Sequence, residues 1–424
     1  MRYAIVGFGC AGYHCAEQIR KLDPKGDITV FSGHGDSPYN PMLTTYYAGG
    51  LLPREGLFPF GTLSEIARRL CLDIRPDCRV ARVCGKSREL CLENGGRETF
   101  DRILIATGAS PLAPSIPGLD AGEAYFMRTM ADAERLRQAL NSRPIRRAVV
   151  VGASMVGIKV AELLNNRGIA TVLADLAPGI FPLAAYADVA DEIQRRVEQA
   201  GVRLALGCTI GSVSRDGDDL VCSMTDGSTV RAQLAALCIG TRADTGLVDP
   251  AEIPVNRGII VNQRMETGCP GIYAAGDCCE GTDLLDGNTK IIGLWANAGY
   301  QGGTAGHNMA GGSGRFDGNI LHNITHFMGM DFVSLGDCRR KGRVLTCGNP
   351  AQGLYIRAVL ADGRLAGVNI LDNYRISGAV KNYFYRQLAA AAAVRPAISR
   401  IQRGILVKEG ISPSFLRQLE GGLR

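Results

Sequence analysis

The chain carries one local pattern twice. Gly7-Phe8-Gly9-Cys10-Ala11-Gly12 follows the apolar run Tyr3 to Val6, and Gly152-Ala153-Ser154-Met155-Val156-Gly157 follows Ala148 to Val151. Both open onto helical periodicity. A strand, a glycine turn and a helix start together make a seat for a pyrophosphate. Glycine lets the backbone turn tightly and approach closely, and the first amides of a helix have no partner within it. One such turn is a weak signal. Two in one chain imply two dinucleotides and electron transfer between them.

The repetition extends past the glycines. Asn94-Gly95 and then Ile103-Leu104-Ile105-Ala106-Thr107-Gly108 follow the first turn; Asp226-Gly227 and then Leu234 to Gly240 follow the second. Each half reads as a glycine turn, a helix, a strand-rich insertion with a hairpin, and a buried strand ending in Gly. This predicts an α/β chain with a doubled nucleotide-binding unit rather than a solenoid, whose periods are shorter. A further strand, Gly271 to Ala275, ends in Gly276-Asp277 and must join one of the two units. A helical stretch, Trp295 to Met309, follows. From about residue 320 short strands and hairpins such as Leu354–Leu360 and Leu365–Leu371 predict a small α+β domain with a helical tail, which includes the run Ala389–Ala393.

Composition narrows the function. A net charge of +6 over 424 residues and a single Trp argue against a nucleic-acid partner. No apolar run reaches the roughly 18 residues of a membrane span. Gly7 already belongs to a turn, which leaves no targeting peptide before it, so a cytoplasmic location is expected. The fourteen cysteines include no Cys-x-x-Cys and no paired metal-ligand spacing, so they read as reduced core thiols, with no metal site. Cys10 and Cys15 are too far apart along a helix for a disulfide. Cys278 and Cys279, where a helix is expected to begin, are nearest to a functional thiol, though core packing is the favoured reading. His322 and His326 lack a neighbouring carboxylate or thiol in sequence and read as structural.

The order of these parts, with Ile105-Ala106-Thr107-Gly108 and Tyr273-Ala274-Ala275-Gly276-Asp277, resembles the FAD/NAD(P)-dependent pyridine-nucleotide-disulfide oxidoreductase superfamily. Pro38-Tyr39-Asn40-Pro41-Met42-Leu43, Leu294-Trp295-Ala296-Asn297-Ala298 with Gln301-Gly302, and Phe332 to Asp337 resemble its branch without a redox disulfide. That branch includes ferredoxin reductases, rubredoxin reductases and the flavin part of nitrite reductases. The resemblance implies a glutathione-reductase-like fold of two Rossmann-like domains plus a small C-terminal α+β domain. It places the FAD-binding domain at 1–112 and 243–319, the NAD(P)H-binding domain at 113–242, and an interface domain at 320–424.

Carried over residue by residue, the resemblance puts FAD over Gly7, Gly9, Ala11 and Gly12. Ala106, Thr107 and Gly108 close the flavin side, Gly276-Asp277 receives the ribityl chain, Val80 meets the adenine, and Pro41 and Trp295 lie toward the isoalloxazine. NADH would occupy Gly152, Ser154 and Gly157, closed by Gly240. Asp175, at the end of the strand Thr171 to Ala174, would bond the ribose hydroxyls and repel a 2′-phosphate, favouring NADH over NADPH.

Three departures stand out. Ser32-Gly33-His34-Gly35-Asp36 lacks the usual acid on the FAD ribose, with Ser32, His34 or a folded-back Asp36 as substitutes. The Arg normally before Pro41 is absent, and Thr45 stands where relatives carry Lys. Lys159 replaces the Glu that pairs with that Lys near flavin N5. Lys159 is then either a catalytic cation beside the flavin or a snorkelling surface lysine. The expected function is an FAD-dependent NADH oxidoreductase that passes electrons to or from a redox protein or an iron–sulfur subunit, assembled as a homodimer or hetero-oligomer. The alternatives are an NADH oxidase or small-molecule disulfide reductase on the same scaffold, and an assembly subunit with vestigial catalysis.

Overall fold

A computed structural model describes residues 1–120, 122–391 and 394–421, in two compact units. The first comprises Met1–Leu112, Arg128–Arg137 and Gly240–Asn319; the second comprises Ala113–Met127, Gln138–Ile239 and Ile320–Arg424.

In the first unit a five-stranded parallel sheet runs in the order 272–274, 102–105, 2–6, 27–31, 72–75. Its central strands are continuous apolar runs because both faces are covered: Ile5, Ile103, Leu104 and Ile105 are all buried. The strand Ile272–Ala274, which leads to Gly276-Asp277, pairs with Arg102–Ile105 and so joins the sheet of the first glycine turn. The helix Trp295–Met309 packs on Cys10–Leu22 through a stripe of glycines. A methyl group on Gly302 would overlap the carbonyl of Ala11, and one on Gly306 the carbonyl of Cys15. An antiparallel insertion, 80–84, 89–92 and 97–99, turns at Asn94-Gly95 as predicted.

The second unit repeats the plan with a four-stranded parallel sheet, in the order 203–206, 170–175, 147–151, 234–237. Its insertion, 210–216, 219–224 and 229–232, turns at Asp226-Gly227. The same unit holds a five-stranded antiparallel sheet, 322–327, 330–336, 364–371, 355–361, 343–348, followed by the helices Ser377–Ala389, Arg400–Lys408 and Pro413–Leu419. The alanine run at 389–393 does not extend the helix, which stops at Ala389; Ala392 and Ala393 lie outside the described residues. No helix among the described residues is long and apolar enough to cross a membrane.

The glycine stripe makes a sharp test of packing. Gly302→Val should cost about 2 kcal/mol or more and lower the melting temperature, because the methyls meet main chain that cannot yield. Gly303→Ala, one position on and with nothing within 4 Å of its added methyl, should instead stabilise by up to about 1 kcal/mol through helix propensity.

Candidate functional site

The two glycine turns are built by the same two hydrogen bonds. In the first unit Gly7 N–H donates to Phe31 O (2.8 Å) and Ala106 N–H to Val6 O (2.7 Å). In the second, Gly152 N–H donates to Ala174 O (2.7 Å) and Cys238 N–H to Val151 O (2.7 Å). Gly7 and Gly152 have φ of +99° and +107°, and a side chain on either would overlap the carbonyl of Ala106 or Cys238. Only glycine meets both demands.

Each turn delivers the chain to a helix N-terminus. Gly9 caps Cys10–Leu22 and Ser154 caps Met155–Asn166; neither cap makes a side-chain bond, and neither first turn carries an acidic residue. The leading amides and the positive helix end are therefore left for an external anion. A methyl on Gly9 would meet nothing within 4 Å, so the space over the first turn is open. Gly12 and Gly157 close against the carbonyls of Gly7 and Gly152, and Ala11 is buried on the same helix.

Other expected residues gather about the first turn. Thr107 Oγ1 donates to Asp244 O (2.6 Å), and Gly276 N–H donates to Gln301 Oε1 (2.9 Å). Asp277 does not wait unpaired. Its Oδ2 accepts from Arg128 (2.7 Å), whose Nε donates to Ala109 O (3.0 Å). Arg128 thus bridges the Thr107–Ala109 turn and the Gly276-Asp277 turn, and sequence reasoning missed it. A signal was present: Thr129 and Asp132 cap each other's backbone amides (2.8 and 3.1 Å), and Arg128 stands directly before that helix start.

Trp295 begins its helix and stacks on Phe60, ring centroids 5.8 Å apart, which stacks on Tyr13 at 3.9 Å. Trp295 Nε1 and Thr45 Oγ1 are buried without a hydrogen-bond partner. Each needs a partner that the described residues do not supply, as a bound polar ring system would. Pro41 opens a short turn capped by Asn40, and Val80 lies half-buried at the head of its strand. Two of the three substitutes for the ribose acid are otherwise engaged. Ser32 is buried and donates to His34 O (2.7 Å), while Asp36 pairs with Arg54 (2.6 Å) and does not fold back onto the glycines.

In the second unit Asp175 lies against its turn. Oδ2 accepts from Ala153 N–H (2.6 Å) and Oδ1 from Ala177 N–H (2.8 Å), so the carboxylate is fixed at the strand end. Gly240, expected to close this site, falls in the first unit; it has φ of +113° and its carbonyl accepts from Leu112 N–H (3.0 Å). Lys159 is paired in this structure. Its Nζ pairs with Glu162 and donates to His326 O (2.8 Å), with 13% of the side chain exposed. Glu162 also accepts from Met328 N–H (2.6 Å). The lysine is a half-buried cation compensated by Glu162.

Two further expectations change. No helix starts after Asp277: Cys279–Thr282 is a strand, and burial pushes the thiols of Cys278 and Cys279 upward. Neither is positioned as a reactive thiolate. His326, expected to lack a nearby carboxylate, pairs with Asp331 (2.8 Å) across a hairpin, and His322 Nε2 meets Lys381 Nζ (2.8 Å).

Residues 1–302 match the family model described as pyridine nucleotide-disulphide oxidoreductase. The chain is 27% identical over 397 residues to the NADH-dependent phenylglyoxylate dehydrogenase subunit epsilon of Aromatoleum evansii, covering 91% of this chain and 92% of that one. It is 30% identical over 312 residues to the 3-phenylpropionate/cinnamic acid dioxygenase ferredoxin–NAD(+) reductase component of Photorhabdus laumondii, covering 73% and 77%. The covalent putidaredoxin reductase–putidaredoxin complex shares the fold, with TM-score 0.85 and 21% identity over 96% of this chain and 98% of that one.

Two substitutions separate binding from structure. Gly9→Val should leave the melting temperature of the ligand-free chain nearly unchanged yet weaken flavin binding by about tenfold or more, since the added methyls occupy the open space over the turn. Lys159→Gln should destabilise by about 1–3 kcal/mol, by leaving Glu162 half-buried without its cation, while flavin reduction by NADH stays within about twofold. A large loss of reduction rate with unchanged stability would restore the catalytic reading.

Proposed function

This chain belongs to the pyridine nucleotide-disulphide oxidoreductase family, and from that membership we propose an NADH oxidoreductase that exchanges electrons with a redox protein or partner subunit. It is an NAD(P)H oxidoreductase with FAD and NAD(H) as cofactors. The observation that carries the assignment is the duplicated turn: two unneutralised helix N-termini, each seated by a glycine of positive φ. FAD, when bound, supplies an acceptor for a hydride that can give up its electrons singly.

The remaining work falls to this chain's own residues. We assign FAD to the discontinuous domain 1–112 and 243–319, whose compact unit also takes in Arg128–Arg137, NADH to the rest of 113–242, and an interface role to 320–424. Gly7, Gly9, Ala11 and Gly12 hold the FAD pyrophosphate. Arg128, held by Asp277 and Ala109 O, is the cation of this site in place of Lys159, and it favours negative charge on the bound group. Trp295 and Thr45 offer a buried N–H and O–H to it. Asp175 reads the NADH ribose with a carboxylate that the backbone has already oriented.

A protein acceptor is favoured by what the thiols do. Cys278 and Cys279 are buried, and no cysteine lies between residues 38 and 50. Cys10, inside the first turn, is buried and burial pushes its thiol up to about 12, so a disulfide substrate meets no thiolate there. The likeness to a dehydrogenase subunit over more than nine-tenths of both chains supports a partner subunit as the other half of the reaction. A cytoplasmic location goes with this reading.

Anaerobic mixing should bleach the bound flavin with NADH far faster than with NADPH, and Asp175→Ala should reduce that discrimination by about tenfold or more. Turnover should require an added one-electron carrier protein. Fast steady-state turnover with oxygen or a low-molecular-weight disulfide would overturn the proposed acceptor; failure of NADH to bleach the flavin would overturn the enzyme itself.

A further inference from the structure

On the antiparallel insertion of the first unit, Cys84 lies opposite Glu89 and Cys91 opposite Arg82. Val83, Leu90 and Leu92 are buried in the core, and the two-residue period of a strand therefore turns Cys84, Glu89 and Cys91 together to the other face, where they are half-buried. There the two Sγ atoms lie 4.0 Å apart, and Cys91 Sγ lies 3.8 Å from Glu89 Oε1. All three ligand atoms fall within 4.8 Å of one another, the only such group of three among the described residues. The spacing matches no linear metal motif; the hairpin assembles the group.

Distance decides what these thiols are built to do. A disulfide needs S–S of about 2.05 Å and Cβ atoms roughly 3.5–4.5 Å apart. Cys84 and Cys91 sit diagonally across the ladder, where Cβ atoms are separated by about 7 Å or somewhat less. Closing the bond would drag the strands together. A tetrahedral metal with bonds of about 2.3 Å to sulfur holds two sulfurs about 3.8 Å apart, close to what is already present. Two thiolates and a carboxylate form a borderline-soft donor set that suits a d¹⁰ divalent ion.

We infer that Cys84, Cys91 and Glu89 form a zinc site, with water as fourth ligand on the half-exposed face. Arg97 donates to Glu89 Oε1 (3.2 Å), which orients the carboxylate and offsets the excess negative charge of the donors. Arg82, on the same face, is compensated by Asp249 (3.6 Å). Binding forms two Zn–S bonds and releases one proton from each thiol, with no change of oxidation state. Both thiols must lose their protons to bind the ion, so affinity falls as pH is lowered.

The test uses the reduced, metal-free holoprotein titrated with Zn²⁺ against a chromophoric chelator. The wild type should bind one equivalent more than the Cys84→Ser/Cys91→Ser variant, and Glu89→Gln should weaken that equivalent by about tenfold or more. Zinc should also slow alkylation of Cys84 and Cys91 in the wild-type chain, read by peptide mass mapping, which keeps the test independent of how well the variants fold. Equal zinc binding by wild type and double variant, or alkylation at these two thiols unchanged by zinc, would overturn the site. A Cys84–Cys91 disulfide forming under mild oxidation without any zinc protection would do the same.

Discussion

Where the strand ending at Val6 runs beside the strand ending at Ile105, the backbone of Gly7 lies so close to the carbonyl of Ala106 that no side chain fits between them. The rest of the first site hangs on that contact. It sets the turn, the turn aims the helix Cys10–Leu22, and the helix offers its leading amides at the carboxyl end of the sheet. The same helix is approached from behind by Trp295–Met309, whose glycines rest on its main chain. One steric condition, met at Gly7 and again at Gly302, therefore fixes the positions of Ala106–Gly108, Gly276-Asp277 and Trp295. Gly152 and Cys238 repeat the condition in the second unit.

Charge is distributed differently from what chain order suggests. Lys159 occupies a glycine-helix position that would make it a cation of the site, yet Glu162, one turn later, neutralises it, and a main-chain carbonyl accepts a hydrogen bond from its ammonium. The positive charge at the first site comes instead from Arg128, brought there by a helix start far away in sequence. Its partner Asp277 cancels much of the net charge while leaving a directed guanidinium in place. A fixed, paired cation costs little reorganisation when negative charge develops beside it, which is the electrostatic contribution a flavin site asks of its protein.

What could be read from the sequence follows from how local its cause is. The two turns, their strands, both hairpins and the helix Trp295–Met309 are set by short-range chemistry: glycine's allowed dihedrals, Asn-Gly and Asp-Gly turns, and apolar runs of strand length. The Gly276-Asp277 strand could be assigned a sheet only through the resemblance, because pairing with Arg102–Ile105 is a property of topology. Arg128 escaped because its role needs Ala109 and Asp277, both distant in sequence. Cys278-Cys279 misled for the converse reason. An Asp followed by small residues resembles a helix cap, but pairing with Ile259–Ile260 draws Cys279–Thr282 into a strand and buries both thiols.

The cysteines show how far residue type alone carries an argument. Ten of the fourteen are not part of any cross-strand or adjacent pair, and most of the fourteen are buried, so a general assignment to core packing holds for the class. It fails for Cys84 and Cys91 because a strand has two faces. Val83 and Leu90 satisfy the core from one side, and whatever alternates with them must face outward, where a small hydrophobe gains little from burial. Two thiols on that outer face, bracketing a carboxylate held by Arg97, are poorly explained by packing. Their separation is too long for a bond between them and suited to a bond through a third atom.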